Sequence, residues 1–111
     1  LGVVSNKNGL FLREEADHLG WSGYFGGIVG ATDAPRDKPD AEPVRLALGP
    51  GGIAPGGDVW LVGDADIDME CAHNAGCTPV LVHPQPPGPD WLRNLPALRL
   101  NDCNELLRLL A

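Results

Sequence analysis

An unbroken apolar run that stops at a glycine and passes at once into a dense group of carboxylates is the feature that most constrains this chain. Val59–Val62 is apolar, Gly63 follows, and Asp64, Asp66 and Asp68 place three carboxylates within five residues. A short apolar run of this kind predicts a buried strand, and clustered negative charge at its end is costly unless a cation lies opposite. Open α/β sheets bind ligands outside the carboxyl ends of their strands. The stretch therefore predicts a divalent-metal site at the end of a parallel strand.

Asp64 and Asp68 are the candidate ligands. We expect Asp68 to fall in the first turn of the following helix, from which it can turn back toward Asp64. Two converging carboxylates suit Mg²⁺, which binds through one or two carboxylates together with waters and substrate phosphate oxygens. The alternative that these acids only complement the helix dipole stays open. Asp66, on a different side of the turn, fits that alternative best.

Length, charge and cysteine content exclude several classes of protein. With 111 residues, the chain is expected to form a single domain with one core. The net charge of −7 opposes nucleic-acid binding, which requires cations against phosphates. No apolar run approaches the ~18 residues of a membrane span, so no membrane partner is expected. The three cysteines form no tight framework, which predicts reduced thiols in a cytoplasmic protein. A first residue of Leu1 rather than Met suggests a fragment, a processed chain or an excised domain.

Strands and helices are predicted to alternate along the whole chain. The predicted strands cover residues 1–5, 27–30, 58–62, 78–82 and 98–100, and the predicted helices cover residues 10–19, 40–48, 67–75 and 103–110. Asn6–Gly9 is expected to be a polar turn, and Asp102–Glu105 has the spacing of a capping box. The alternation favours a three-layer α/β domain with a parallel sheet and right-handed crossovers.

Three rival motif interpretations fail on spacing. An EF-hand loop starting at Asp64 would need glycine where Met69 stands and glutamate where Ala75 stands. Gly49–Ala54 imitates a dinucleotide-binding fingerprint, but it precedes a strand instead of following one. Cys71–Cys77 contains two cysteines and a histidine, which could suggest a zinc site. Cys71 and His73, however, face different ways on a helix, and no second Cys/His pair follows. A core thiol and a surface histidine are the favoured interpretation.

Two weaker signals precede the acidic cluster. Ser5 ends the first predicted strand, where its hydroxyl and the following backbone N–H groups could bind an oxyanion. Lys38 stands before Pro39 in a loop that leads from a strand into a helix. Taken alone, Ser5 is typical of a helix cap and Lys38 of a solvated surface charge. Their meaning therefore depends on the order in which these signals occur.

That order resembles the haloacid dehalogenase (HAD) superfamily, especially its phosphoglycolate phosphatase-like hydrolases. Gly2–Lys7 is similar to the second motif of that family, and Asp37–Val44 is similar to its Lys-Pro third motif. Gly63–Asp68, with the Ala-Gly-Cys ending at Ala75–Cys77, is similar to the fourth. The resemblance covers about residues 1 to 84, and its motifs are specific only in combination.

The resemblance implies a three-layer α/β/α Rossmann-like parallel sheet, of which residues 1–111 would be the carboxyl-terminal part of the core domain. It implies a Mg²⁺-dependent phosphate monoester hydrolase that acts on a small phosphorylated metabolite through an aspartyl-phosphate intermediate. Ser5 and the backbone of Asn6 would bind phosphoryl oxygens, and Lys38 would neutralise their charge. Asp64 would bind Mg²⁺, and Asp68 would bind it directly, bind it through water, or orient Lys38.

The chain departs from the family pattern in one important respect. The family's nucleophile and general acid/base form an Asp-x-Asp-x-Thr/Val motif on a strand before the second motif, and no such motif occurs in these residues. The nucleophile is therefore expected upstream of Leu1, and the segment alone is expected to be inactive. The cap domain is also missing. A catalytically dead binding or regulatory module remains an alternative. A phospho-receiver domain is less favoured, because receivers carry their acids first and their lysine last. Substrate, oligomeric state and the choice between phosphatase and dehalogenase stay open.

Overall fold

All pairs among the described strands are parallel, and α-helices connect the first four strands in succession. The computed structural model describes residues 1–91 and 93–110. They belong to two compact units, Leu1–Pro55 and Gly56–Ala111. The strands of the first unit form a two-stranded sheet and those of the second a three-stranded sheet. The predicted α/β class with parallel strands is therefore confirmed, with the strands divided between two sheets.

The first unit is a helix–sheet–helix arrangement. Its elements are β1 (Gly2–Asn8), α1 (Gly9–His18), β2 (Gly27–Ala31) and α2 (Glu42–Leu48). Side chains alternate between the faces of a strand, so Gly27 and Ile28 face opposite sides. Gly27 approaches Ala47 of α2 so closely that a Cβ atom would collide with the backbone there. Ile28 instead lines an apolar cavity of about 250 Å³ together with Leu12 and Ala16 of α1. Helices α1 and α2 therefore cover opposite faces of this sheet.

The end of β1 differs from the prediction. The strand continues to Asn8, so the predicted polar turn at Asn6–Gly9 is wrong. Pairing with β2 is regular up to Val4, becomes irregular, and resumes where Asn8 lies opposite Ala31. Such a bulge admits extra residues without ending the strand, and bulges are frequent next to functional sites.

The second unit carries a three-stranded sheet in the order β3-β4-β5. Its elements are β3 (Trp60–Gly63), α3 (Asp66–Ala75), β4 (Thr78–Val82), β5 (Leu98–Leu100) and α4 (Cys103–Leu110). The largest fully buried side chains are Met69 and Cys71 of α3 with Val80 and Leu81 of β4. Burial of an aliphatic side chain of this size contributes about 1.5–3 kcal/mol. This core holds α3 against the strands and so fixes the acidic turn between β3 and α3.

Strand β3 is not buried as the sequence predicts. Trp60 and Val62 are 42% and 41% exposed, because they share the more exposed face of β3, along which burial alternates. In the order of the described strands, β3 is the outer strand and pairs with β4. It also begins later than predicted, since Val59 belongs to a turn in which its N–H donates to Gly56 O at 2.9 Å. The predicted bounds of β4, β5 and α4 agree with the structure.

Helix ends follow local capping chemistry. Helix α3 ends at Gly76, whose φ of 74° is left-handed and is accessible to glycine at little cost. At α4, the Asp102 carboxylate accepts the Glu105 N–H at 3.0 Å, which is half of the predicted capping box. The Glu105 carboxylate, however, returns to the N–H of Asn101 at 3.0 Å. The second half of the box is therefore displaced by one residue. Helix α2 begins at Glu42, two residues later than predicted, because its N–H donates to the Asp40 side chain at 2.9 Å.

Candidate functional site

Ser5 and Asn6 lie in the bulge of β1. The Ser5 hydroxyl oxygen accepts a hydrogen bond from the Lys7 N–H at 3.1 Å. A hydroxyl carries one donor and two acceptor positions, so this bond occupies an acceptor position and leaves the O–H proton able to donate. Ser5 is half-buried and lies in the middle of β1 rather than at its end, and its role as an oxyanion donor stays a prediction.

The structure brings Asn6 and Lys38 together. Asn6 Oδ1 accepts the Lys38 backbone N–H at 3.1 Å, and Asn6 Nδ2 donates to the Lys38 backbone oxygen at 3.3 Å. A carboxamide has the same donor and acceptor groups as a peptide unit. The Asn6 side chain therefore pairs with the main chain of Lys38 as the backbone of a neighbouring strand would. The two bonds fix the main chain of Lys38, which precedes a cis peptide bond to Pro39. The sequence predicted a role for the Asn6 backbone and missed this role of its side chain.

Asp64 and Asp68 lie together at the carboxyl end of β3, as predicted. Asp64 is exposed, whereas Asp68 is buried. Asp68 Oδ2 accepts the backbone N–H groups of Asp64 and Ala65, both at 3.2 Å. A Cβ atom at Gly63 would overlap the Asp68 carboxylate, so glycine at this position makes the approach possible. Asp68 thus caps the start of α3 in the manner of a capping box, and its role as a metal ligand stays a prediction.

Asp66 has a partner that sequence reasoning missed. Its Oδ1 accepts a hydrogen bond from Asn94 Nδ2 at 3.1 Å. His73 Nε2 lies 2.8 Å from the Leu95 backbone oxygen. Both bonds attach the segment between β4 and β5 to α3. Asp66 therefore anchors this segment, besides adding an acidic group to the first turn of α3.

The carboxylates fit part of a magnesium site. In the part of the chain that the structure describes, no three His, Cys, Asp or Glu side chains lie close enough to hold a metal ion by themselves. Asp64 and Asp68 supply carboxylate oxygens only, which are the ligands that Mg²⁺ prefers. Mg²⁺ commonly takes one or two carboxylates and completes its octahedron with waters and phosphate oxygens. The donor chemistry of this turn is therefore compatible with that ion.

We predict that Asp68→Ala lowers the free energy of unfolding by about 1–2 kcal/mol, because two N–H groups at the start of α3 lose their acceptor. Urea-induced unfolding followed by circular dichroism measures this loss. Asp68→Asn is the matched variant, since it keeps an acceptor oxygen and is expected to lose less. Equal midpoints for wild type and Asp68→Ala would contradict the capping role.

Comparison with known proteins decides the family. The family described as "Haloacid dehalogenase-like hydrolase" matches residues 1–82. This range includes all five predicted site residues, namely Ser5, Asn6, Lys38, Asp64 and Asp68. The chain belongs to the haloacid dehalogenase-like hydrolases. The resemblance carried by the three ordered motifs is therefore confirmed.

Individual relatives agree with this family. The phosphoglycolate phosphatase of Escherichia coli (strain K12) is 35% identical over 80 residues, which cover 72% of this chain and 31% of the relative. A HAD-superfamily hydrolase from Ehrlichia chaffeensis superposes with a TM-score of 0.80 at 34% identity and covers 96% of this chain and 46% of its own. A predicted phosphoglycolate phosphatase from Haemophilus somnus 129PT has a TM-score of 0.79 at 25% identity and covers 98% and 48%. The chain thus spans about a third of the length of the curated HAD relatives that it matches.

No helix among residues 1–91 and 93–110 is long and apolar enough to cross a membrane.

The three cysteines are free thiols. Cys71 and Cys77 are buried and Cys103 is exposed. Burial raises the pKa of the Cys77 thiol, although a hydrogen bond with the Gly56 backbone partly opposes this.

Proposed function

We propose that the complete protein is a Mg²⁺-dependent phosphate monoester hydrolase that acts on a small phosphorylated metabolite. The observation that carries this proposal is the anchoring of Lys38 by Asn6, within a chain of the haloacid dehalogenase-like hydrolases. The motif on β1 is thereby joined to the Lys-Pro motif by two hydrogen bonds. Phosphoglycolate phosphatases among the relatives indicate a small phosphate ester as the class of substrate.

The first unit would bind the phosphoryl group. Phosphoryl transfer is catalysed mostly by positioning and by stabilisation of charge. The Ser5 hydroxyl and the Asn6 backbone N–H would donate to non-bridging oxygens, and the Lys38 ammonium group would offset their negative charge. Lys38 is suited to this because its main chain is fixed at both its N–H and its carbonyl oxygen. A fixed main chain limits the positions that the ammonium group can reach, which reduces the reorganisation needed when charge develops in the transition state.

The second unit would hold the metal. Asp64, exposed after β3, would contribute a carboxylate oxygen, and Asp68 would bind directly or through water. When bound, Mg²⁺ supplies charge neutralisation to phosphoryl oxygens. Gly63 allows Asp68 to approach the end of β3, and Asp68 in turn orders the backbone that presents Asp64. The two aspartates therefore support each other's placement.

We propose a covalent route with a nucleophile that lies outside residues 1–111. An aspartate carboxylate would attack phosphorus and the ester P–O bond would break. The leaving alkoxide would take a proton from the general acid of the same Asp-x-Asp-x-Thr/Val motif and depart as the neutral alcohol. Water would then hydrolyse the aspartyl phosphate to free the carboxylate and inorganic phosphate. Because no Asp-x-Asp-x-Thr/Val motif occurs in the chain, residues 1–111 alone would not turn over substrate. A cytoplasmic location is part of the same proposal, since such metabolites and reduced thiols occur there.

The test uses the complete protein with p-nitrophenyl phosphate and a panel of small phosphate esters that includes phosphoglycolate. We expect release of inorganic phosphate that requires Mg²⁺ and stops when EDTA is added in excess. A protein that releases no phosphate from any ester with Mg²⁺ present would contradict the proposal and favour a catalytically dead module. A 2-haloacid tested in parallel distinguishes dehalogenation, which would release halide instead.

A further inference from the structure

A bidentate ion pair joins α1 to the loop that follows β2. Arg13 Nη1 lies 2.5 Å from Asp33 Oδ2, and Nη2 lies 3.3 Å from Oδ1. Arg13 Nη1 also donates to the Ile28 backbone oxygen at 3.3 Å. Two parallel N–H···O bonds fix both the distance and the direction of a contact, so this pair defines how the loop leaves β2.

The Asp33 carboxylate also holds the backbone of β2. The Gly30 N–H donates to Asp33 Oδ2 at 2.8 Å. A Cβ atom on Gly30 would overlap main-chain atoms of Lys7 and Gly9, and a Cβ atom on Gly9 would overlap the Asp33 carboxylate. The ends of β1 and β2 and the start of α1 therefore pack around this carboxylate with no side-chain volume between them. Contacts as close as these transmit a displacement rather than absorb it.

The next residues of the loop adopt a strained conformation. Thr32 has a φ of 70°, which is unfavourable for a β-branched residue. Its N–H donates to Asp37 Oδ1 at 2.8 Å. Residues in such conformations persist only where the surrounding structure determines them. The carboxylates of Asp33 and Asp37 hold the turn in this conformation from its two sides. Lys38 follows Asp37 directly in the chain.

We infer that Arg13 and Asp33 are positioning residues that hold the loop from Gly30 to Lys38 so that Lys38 meets the Asn6 carboxamide and presents its ammonium group to a phosphoryl group. The role given to the ammonium group rests on the proposed function. The fixed path of the loop rests on the contacts described above. Arg13 lies on a helix and would otherwise be an ordinary surface charge.

Both members of the pair are ionised at neutral pH. The hydrogen bond from Arg13 lowers the pKa of the Asp33 carboxyl, the Gly30 N–H lowers it further, and burial opposes both. The hydrogen bond to Asp33 raises the pKa of Arg13. The side chain of Asp33 is 22% exposed, so solvent competes only partly for its oxygens.

Amide hydrogen exchange of the complete protein tests the positioning directly, without any need for turnover. In Arg13→Met, the Thr32 and Lys38 amides are expected to exchange faster, while the amides of β4 keep their wild-type rates. With the Mg²⁺-dependent phosphate ester assay, kcat is expected to fall by up to about 10²-fold, because small misplacements of a catalytic group are costly. KM is expected to stay near the wild-type value, and Arg13→Lys is expected to restore part of kcat.

Arg45→Met is the matched control, because Arg45 forms an exposed ion pair with Glu42 at 2.8 Å and is expected to leave exchange and kcat unchanged. If Arg13→Met also raises the exchange rates of the β4 amides, the exchange at Thr32 and Lys38 is measured in Asp33→Asn instead. This variant removes the charge of Asp33 but keeps an acceptor for the Gly30 N–H. Unchanged exchange at Thr32 and Lys38 in a folded variant overturns the inference. A wild-type protein without turnover overturns the proposed function, whereas the exchange rates still decide whether the pair fixes the loop.

Discussion

Replacing Lys38 by Met is expected to lower kcat for a phosphate monoester by about 10²–10³-fold, the usual loss when one group that stabilises transition-state charge is removed. The Asn6 carboxamide binds main-chain atoms of Lys38, so the substitution leaves this anchoring in place. The loss is therefore expected in kcat and in kcat/KM together, which is the pattern of an interaction made in the transition state. Steady-state kinetics with p-nitrophenyl phosphate and Mg²⁺ measure it.

Arg36→Met is the control for that experiment. Arg36 lies in the same loop, is 73% exposed and pairs with Asp40 at 3.3 Å, so its removal changes the net charge equally without touching the site. Lys38→Arg keeps the charge but changes its geometry and is expected to lose less than Lys38→Met. If Lys38→Met and Arg36→Met behaved alike, Lys38 would be a solvated surface charge.

Asp64→Asn is expected to raise the Mg²⁺ concentration needed for half-maximal activity and to lower kcat/KM at fixed Mg²⁺ by about 10²-fold. A bound metal is worth several kcal/mol of charge stabilisation, and about 1.4 kcal/mol corresponds to a factor of ten. Because Asp64 is exposed and its carboxylate is not the one that caps α3, stability is expected to change little. Mg²⁺ titrations of initial rate and thermal unfolding separate these two effects.

Asp66→Asn controls for the loss of one negative charge in the same turn. Asp66 accepts a hydrogen bond from Asn94, and an asparagine oxygen can still accept it. We expect its Mg²⁺ dependence to equal that of the wild type. A Mg²⁺ requirement that Asp64→Asn leaves unchanged, or that both variants change equally, would contradict a specific role of Asp64 as a ligand. The acidic cluster would then act only through its total negative charge.

Local patterns were sufficient for the elements of the fold. Apolar runs between glycines and prolines predicted the strands, and β4, β5 and α4 have the predicted bounds. The three ordered motifs were sufficient for the family, which the comparisons confirm. Both successes have one cause, because side-chain periodicity and short motifs are properties of neighbouring residues.

The errors occur where a residue's state depends on distant neighbours. Asn6 was expected in a turn but lies in a bulged strand, since pairing with β2 resumes beyond it. Val62 was expected to be buried but is half exposed, because it lies on the more exposed face of β3, the outer strand among the described strands of its sheet. Neither the continuation of a ladder nor the position of a strand within a sheet is encoded in the strand's own residues.

The sequence by itself determined the chemistry that this protein can present: a serine, a lysine and two aspartates, each expected after an apolar strand in the order typical of its family. Only the tertiary structure decided which side chains bond to each other over long distances in the sequence. Asn6 reaches Lys38 across 32 positions, Arg13 reaches Asp33 across 20, and Asn94 reaches Asp66 across 28. Such bonds form between groups that strand register and turn conformation bring within about 3 Å. Residue type supplies the donor and the acceptor, and the fold supplies the distance.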